Sequence, residues 1–210
     1  MTGSIHIDHF TTLDGVAQAP GGPDEDPSGG FTFGGWQAPL GDESSGGQIF
    51  AGIEATDALL LGRRTYDIFA AYWPHQKEGP GPDSAVARKF NAIPKFVASR
   101  GTPDLSWSGS QLLGPDLPAE IAALRDQYEQ IHVVGSIDFS RTLVELGLFD
   151  QLNIWVYPIV VGRGKRLFPD DGPPTALQLI SAEPASENGV VLLKYRPTGT
   201  VPATGDMSEA

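Results

Sequence analysis

The stretch IHVVGSIDFSRTLVELGLFDQLNIWVY (131–157) decides the fold. Ile131–Val134 is a short apolar run, the pattern of a strand buried on both faces. Gly135 and Ser136 break it. Asp138–Leu146 then has helical spacing and is stopped by Gly147, and Gln151–Tyr157 returns to strand. The same strand–helix punctuation recurs upstream. Ser4–Phe10 begins as an alternating strand. Ser44–Ala55 places Ile49, Phe50 and Ile53 at helical spacing after possible caps at Asp42 or Ser44. Ala58–Leu61 is a wholly apolar run ending at Gly62. Helices follow over Arg63–Tyr72 and Ser84–Asn91, a strand over Lys95–Ser99, a helix over Leu117–Tyr128, and a last strand over Val190–Arg196. Alternation of this kind predicts an α/β, three-layer fold: a mostly parallel central sheet with helices on both faces. The closing pair of strands has no helix between them, which predicts an antiparallel C-terminal edge.

The chain has 210 residues, 14 Lys+Arg against 26 Asp+Glu, and a net charge of −12. Nine acidic side chains and no Lys or Arg precede Arg63, so the first 62 residues carry −9 of that charge. Such a surface repels phosphate backbones and anionic membranes, which argues against nucleic-acid or membrane partners. With 40% hydrophobic and 19% charged residues the chain is too apolar to be disordered. Residues 1–197 are expected to form one domain. The tail, 198–210, has little to bury and is expected to be disordered. Without cysteine there are no disulfides, thiolate metal sites or cysteine nucleophiles. MTGSIHIDHF lacks the basic and apolar regions of a secretory signal, and Leu152–Val161 is too short to span a bilayer, so a cytoplasmic location is expected. Leu152–Val161, with Trp155 and Tyr157, is also expected to be an exposed sheet edge, of the sort a second subunit covers in a homodimer.

In open parallel sheets ligands bind beyond the carboxyl ends of the strands. Three such ends carry matching residues: Gly62-Arg63-Arg64-Thr65, Ser99-Arg100 and Gly135-Ser136. Glycine admits a phosphate close to the backbone, arginine supplies charge-assisted hydrogen bonds, and a helix start offers free N–H groups. Together they point to a ligand with more than one phosphate, such as a dinucleotide. Each alone is weak: strand–Gly–Arg is more often a solvated cap, and neither G-x-G-x-x-G nor a Walker A sequence is present. The loop 19–35 is too long for a simple connection and ends in Phe31, Phe33 and Trp36, which suggests an ordered loop at a site.

These segments, with TTLDGV (11–16), ALLLGRRTYDIFAAYWP (58–74), KFVASR (95–100) and VVGSIDFSRTLVELGLFDQLNIWVYPIVVGRGKRLFPD (133–170), resemble the dihydrofolate-reductase-like superfamily. The branch they are most similar to is related to the C-terminal reductase domain of riboflavin biosynthesis. The resemblance implies an NADPH-dependent reductase passing hydride to a flat heterocycle, pterin- or aminopyrimidine-like. It implies that Gly62, Arg63, Arg64 and Thr65 hold the cofactor, NADP(H), with Ser99 and Arg100 beside the 2′-phosphate or adenine. Gly135-Ser136 stands where dihydrofolate reductases carry Gly-Gly beside the pyrophosphate. It also leans toward a homodimer. Dihydrofolate reductases follow a loop Trp with Pro and then an acid. Here Trp36 is followed by Pro39, Asp42 and Glu43, one position late, so Asp42 and Glu43 are the proton-donor candidates and Trp36 and Phe33 the substrate contacts. Equally, Asp42-Glu43-Ser44 reads as a capping cluster.

Asp14, before Gly15, reads as a turn residue rather than a catalytic one. His6, Asp8 and His9 suggest a metal trio, but alternation puts His9 on the opposite face. His132 reads as a satisfied core histidine, and Arg163, Lys165 and Arg166 as a solvated turn that could also grip a phosphate. Two other classes stay open: a non-catalytic nucleotide-binding protein of the same fold, and an acid–base hydrolase. The hydrolase would need facing carboxylates, and neighbours such as Asp42-Glu43 point apart.

Overall fold

The computed structural model describes residues 2–77, 79, 81–168, 170 and 172–209. Its elements run β1 (Ser4–Thr12), α1 (Glu43–Ala55), β2 (Ala58–Gly62), α2 (Arg63–Tyr72), α3 (Pro82–Ala92), β3 (Lys95–Ala98) and β4 (Ser110–Leu112). They continue with α4 (Leu117–Arg125), β5 (Gln130–Val134), α5 (Ile137–Glu145), β6 (Gln151–Tyr157), β7 (Leu177–Pro184) and β8 (Val191–Pro197). One sheet holds all eight strands in the order β4-β3-β2-β5-β1-β6-β8-β7. Pairing is parallel from β4 through to β6, and β8 is antiparallel to both β6 and β7. The expected mostly parallel sheet with an antiparallel C-terminal edge is therefore what the chain builds.

Strand alternation divides the core. Ile5 and Ile7 of β1, Leu60 of β2 and Ile131 and Val133 of β5 pack on one face against Ile121 and Leu124 of α4 and Phe139 and Leu143 of α5. On the other face Leu59 and Leu61 of β2 and Val97 of β3 meet Tyr66 of α2 and Phe90 of α3. Helix α1 lies on this second face but only loosely, with Ile49 and Ile53 part-buried and Ala51 and Gly52 exposed.

The expected exposed edge at Leu152–Val161 needs correction. Strand β6 lies inside the sheet between β1 and β8, and Leu152, Trp155 and Tyr157 are buried. The C-terminal edge is β7, in which no residue is fully buried. A shift in its pairing between Leu179 and Ser181 also breaks the period-two pattern that would mark it as a strand. β4 is three residues long and exposed, too short to show any pattern. Beyond Pro197 the described tail forms no strand or α-helix; Thr198 and Thr200 bond Ala176, and Met207–Glu209 makes one 3-10 turn. No described helix is long and apolar enough to cross a membrane.

Candidate functional site

A cleft of about 2220 Å³ opens between α1 and the sheet and runs to the carboxyl ends of β2, β3 and β5. Pockets for one drug-sized ligand measure roughly 300–1,000 Å³, so volume does not limit this open cleft to a single ligand. Gly62, Arg63, Arg64, Thr65, Ser99, Arg100, Gly135 and Ser136 all line it. The fold thus brings together the three strand ends that the sequence singles out.

Their local geometry suits a phosphate ligand. Gly135 and Ser136 take left-handed backbone, with φ of 65° and 61°, turning the chain from β5 into α5. The Gly62 N–H donates to Ser136 Oγ at 2.9 Å and ties the ends of β2 and β5. A Cβ on Gly62 would lie 3.0 Å from Phe139 Cβ, so a side chain there would push the two helix starts apart. Neither α2 nor α5 has a side-chain N-cap, whereas α1 and α4, which start elsewhere, are capped by Asp42 and Asp116. First-turn N–H groups without a side-chain cap at the cleft have the chemistry that suits an anion. Arg63 lies 2.7 Å from Asp67, and Arg64 is 3.8 Å from Asp138 with both side chains more than two-thirds exposed, a pairing too weak to hold Arg64 back from a ligand. Arg100 is exposed at the same rim.

Behind this turn, buried His9 Nε2 is 2.9 Å from Ser140 Oγ, which donates to the Gly135 carbonyl at 3.1 Å. Burial lowers the His9 pKa to about 4, so the ring is neutral and its N–H can donate to the serine.

The floor of the cleft is polar. His6 and Asp8 of β1, His132 of β5, Gln151 and Asn153 of β6 and Lys194 of β8 all face it. Their registers coincide: His6 pairs His132 and Gln151, and Asp8 pairs Asn153, which pairs Lys194. Asp8 Oδ2 lies 2.7 Å from His132 Nδ1, and Asp8 Oδ1 accepts from Asn153 Nδ2 at 2.7 Å. Burial alone would raise the Asp8 carboxyl, but His132 and the Asn153 amide outweigh it and hold it below the usual carboxylate range. His6 sits beside this pair, its ring 4.9 Å from that of His132, and burial and that neighbour lower its pKa. The sequence alone misses this group, because its signal needs the strand order: β1 is central, and a central parallel strand should be apolar on both faces. Ser4, His6 and Asp8 give it one polar face.

Asp42 and Glu43 do not line the cleft. Asp42 caps α1: its carboxylate accepts from Ser45 N–H at 2.8 Å, Ser45 Oγ at 2.7 Å and Glu187 N–H at 3.0 Å. These bonds, Ser45 foremost, lower its pKa. Nor do Trp36 and Phe33 line it. Trp36 is buried against Tyr157 with its indole N–H donated to Gln18 O, and Phe33 is exposed beneath Arg163. The loop is held at the cleft from behind: Gln18 Nε2 donates to Asp26 O and Ser28 O, and Lys165 reaches Asp26 at 2.6 Å. Ala19 through Asp26 thus form one wall. There Glu25 accepts from the Gly21 and Gly22 N–H groups, and burial raises its pKa. Asp14 organises its turn, accepting from Thr12 Oγ1, Val161 N–H and Gly162 N–H. Arg166 lies 3.7 Å from Asp14, so the basic turn 163–166 pairs with two of the acidic N-terminal residues, Asp14 and Asp26. Among the described residues no group of three or more His, Cys, Asp or Glu could hold a metal ion.

Comparison with known proteins agrees with this architecture. The family model of the RibD C-terminal domain matches residues 4–192. The chain is 25% identical over 201 residues to the uncharacterized protein YyaP of Bacillus subtilis, covering 93% of this chain and 95% of that one. A structure from Shewanella sp. PV-4, assigned provisionally to riboflavin biosynthesis, superposes with a TM-score of 0.65 at 19% identity, covering 93% and 99% of the two chains. Dihydrofolate reductase from Enterococcus faecalis, complexed with NADP(H), does so with a TM-score of 0.52 at 16% identity, covering 94% and 98%. At those identities the superpositions show a shared fold.

Proposed function

The chain belongs to the RibD C-terminal domain family, and from that premise we propose that it is an NADPH-dependent reductase of a small flat heterocycle, pterin- or aminopyrimidine-like. The observation that carries this reading is the convergence of eight phosphate-suited residues from three strand ends on one cleft whose floor is polar and hydrogen-bonded. In it the uncapped starts of α2 and α5, with Gly62 and Gly135-Ser136, hold the pyrophosphate. Arg63, Arg64 and Arg100, with Ser99, meet the 2′-phosphate, which needs cationic partners where a bare ribose prefers a carboxylate. When bound, the nicotinamide supplies the hydride. The chain's own part is orientation and exclusion of water, because this chemistry asks the protein mainly for alignment. The loop 19–26 and α1 wall the substrate in, and Asp8, His132 and Asn153 face it from the sheet. The enzyme is cytoplasmic in this reading.

NADPH is expected to raise the melting temperature, and more than NADH does, since a ligand that binds only the native state stabilises it. Oxidation of NADPH at 340 nm, followed across dihydrofolate, aminopyrimidine and quinone acceptors, then names the substrate class. No shift with either cofactor at millimolar concentration would sink the proposal. A shift without turnover of any acceptor would favour a nucleotide-binding protein that is not an enzyme.

A further inference from the structure

Strand β1 turns Ile5, Ile7 and His9 to one face, and the two isoleucines belong to the core that packs on α4 and α5. His9 continues that row at 1% exposure, and Ser140 of α5 is fully buried beside it. An imidazole in this position costs desolvation that a leucine would not, so its polar atoms need partners. Ring Nε2 lies 2.9 Å from Ser140 Oγ. Ser140 has a single hydroxyl proton, which goes to the Gly135 carbonyl at 3.1 Å, so the ring is the donor in its bond to the serine. The Gly135 N–H in turn donates to the Asp8 carbonyl at 3.2 Å. Two successive residues of β1 therefore hold the two ends of Gly135, Asp8 directly and His9 through the serine.

Gly135 and Ser136 are both left-handed, and for the serine that conformation is strained. Strained backbone persists only where its surroundings over-determine it. The peptide between them is trans, which sets the Gly135 C=O and the Ser136 N–H in opposite directions. With the carbonyl drawn back to Ser140, the Ser136 N–H points away from α5's buried side and toward the cleft that both residues line. It has no backbone partner among the described residues. A flipped peptide would instead turn a carbonyl to the cleft and repel an anion. We infer that His9 is a positioning residue: through Ser140 it fixes the Gly135–Ser136 peptide with its N–H toward the cleft, ready for a phosphate oxygen. Calling that phosphate the cofactor's pyrophosphate rests on the reductase reading above; the orientation of the peptide does not.

The test follows the Ser136 amide resonance of the full chain by NMR during titration with inorganic pyrophosphate, adenosine 2′-monophosphate and NADPH. In the wild type, pyrophosphate and NADPH should both shift it. His9→Leu and Ser140→Ala should each weaken those two ligands about tenfold, the size of one hydrogen bond. Adenosine 2′-monophosphate, which engages the arginine rim, should stay within about twofold. His9→Gln, with an amide N–H at similar reach, should restore wild-type binding. Combining His9→Leu with Ser140→Ala should lose no more than Ser140→Ala alone, because the ring acts through the hydroxyl. A Ser136 amide unmoved by pyrophosphate in the wild type, unchanged affinity in His9→Leu, additive losses in the double variant, no rescue by glutamine, or parallel weakening of adenosine 2′-monophosphate would overturn the inference. If His9→Leu does not fold, His9→Phe, a ring without an N–H, takes its place. A pyrophosphate response that follows these variants, with no response to NADPH, would refute the reductase reading and leave the role of His9 standing.

Discussion

Asp8 and Asp42 are the same side chain in two regions that compete for one role. Asp42 stands at the start of α1 with its carboxylate spent on the helix end and on Glu187. Asp8 stands on the central strand, lines the cleft and accepts one hydrogen bond on each carboxylate oxygen. An acid near an aromatic loop is thus no guide to chemistry until its hydrogen bonds have been counted. A carboxylate that satisfies the first turn of its own helix has little left for a ligand.

The widest separation of the two regions is expected in turnover. Asp8→Asn should lower kcat/KM by roughly 10- to 100-fold, the effect of removing a charged partner from buried hydrogen bonds. Asp42→Asn should leave it within about twofold and instead lower the melting temperature, as loss of a cap does. Equal losses would break the comparison. Glycines sharpen it next. Gly62→Val should destabilise by about 1–3 kcal/mol through overpacking and remove the NADPH shift, because its side chain meets Phe139 and Ser136. Gly47→Ala on α1, where a Cβ meets nothing within 4 Å, should stabilise by roughly 0.5–1 kcal/mol and leave cofactor binding alone. Denaturant melts with and without NADPH measure both.

The gentlest perturbation, a change of pH, acts on the back of β1. His9 has its folded pKa lowered from 6.5 to about 4, so the unfolded chain binds the extra proton between those values. Its contribution is therefore complete above pH 6.5 and lost as pH falls toward 4, at up to about 1.4 kcal/mol per pH unit. Wild-type melts from pH 7 to pH 4.5 should show this slope, and His9→Gln should flatten it. An unchanged slope would mean that other groups carry the acid sensitivity.

The rim of the cleft could be read from the sequence because its signals are local. Gly62-Arg63 and Gly135-Ser136 each lie where an apolar strand run gives way to a helix within a few residues. The floor could not. Asp8 is more than 120 residues of chain from both His132 and Asn153 and meets them only because β1 lies between β5 and β6. Strand order, which strand periodicity does not encode, decides that neighbourhood. The same ignorance made β6 look like an edge: its partner β8 is protected by β7, whose exposed, bulged sequence carries no strand pattern. Phe33 and Trp36 looked like substrate contacts because large aromatics on a loop suit a pocket wall. Trp36 instead fills a second core beside Tyr157 and holds the loop from behind.

The most direct measurement is a crystal structure of the chain with NADPH. The expected density places the pyrophosphate between Gly62–Thr65 and Gly135–Ser136, the 2′-phosphate among the arginines, and the nicotinamide in the cleft with Asp8 open beside it. A cofactor bound elsewhere, or one that covers Asp8 and leaves Asp42 facing an empty pocket, would contradict the division between a cofactor rim and a substrate floor.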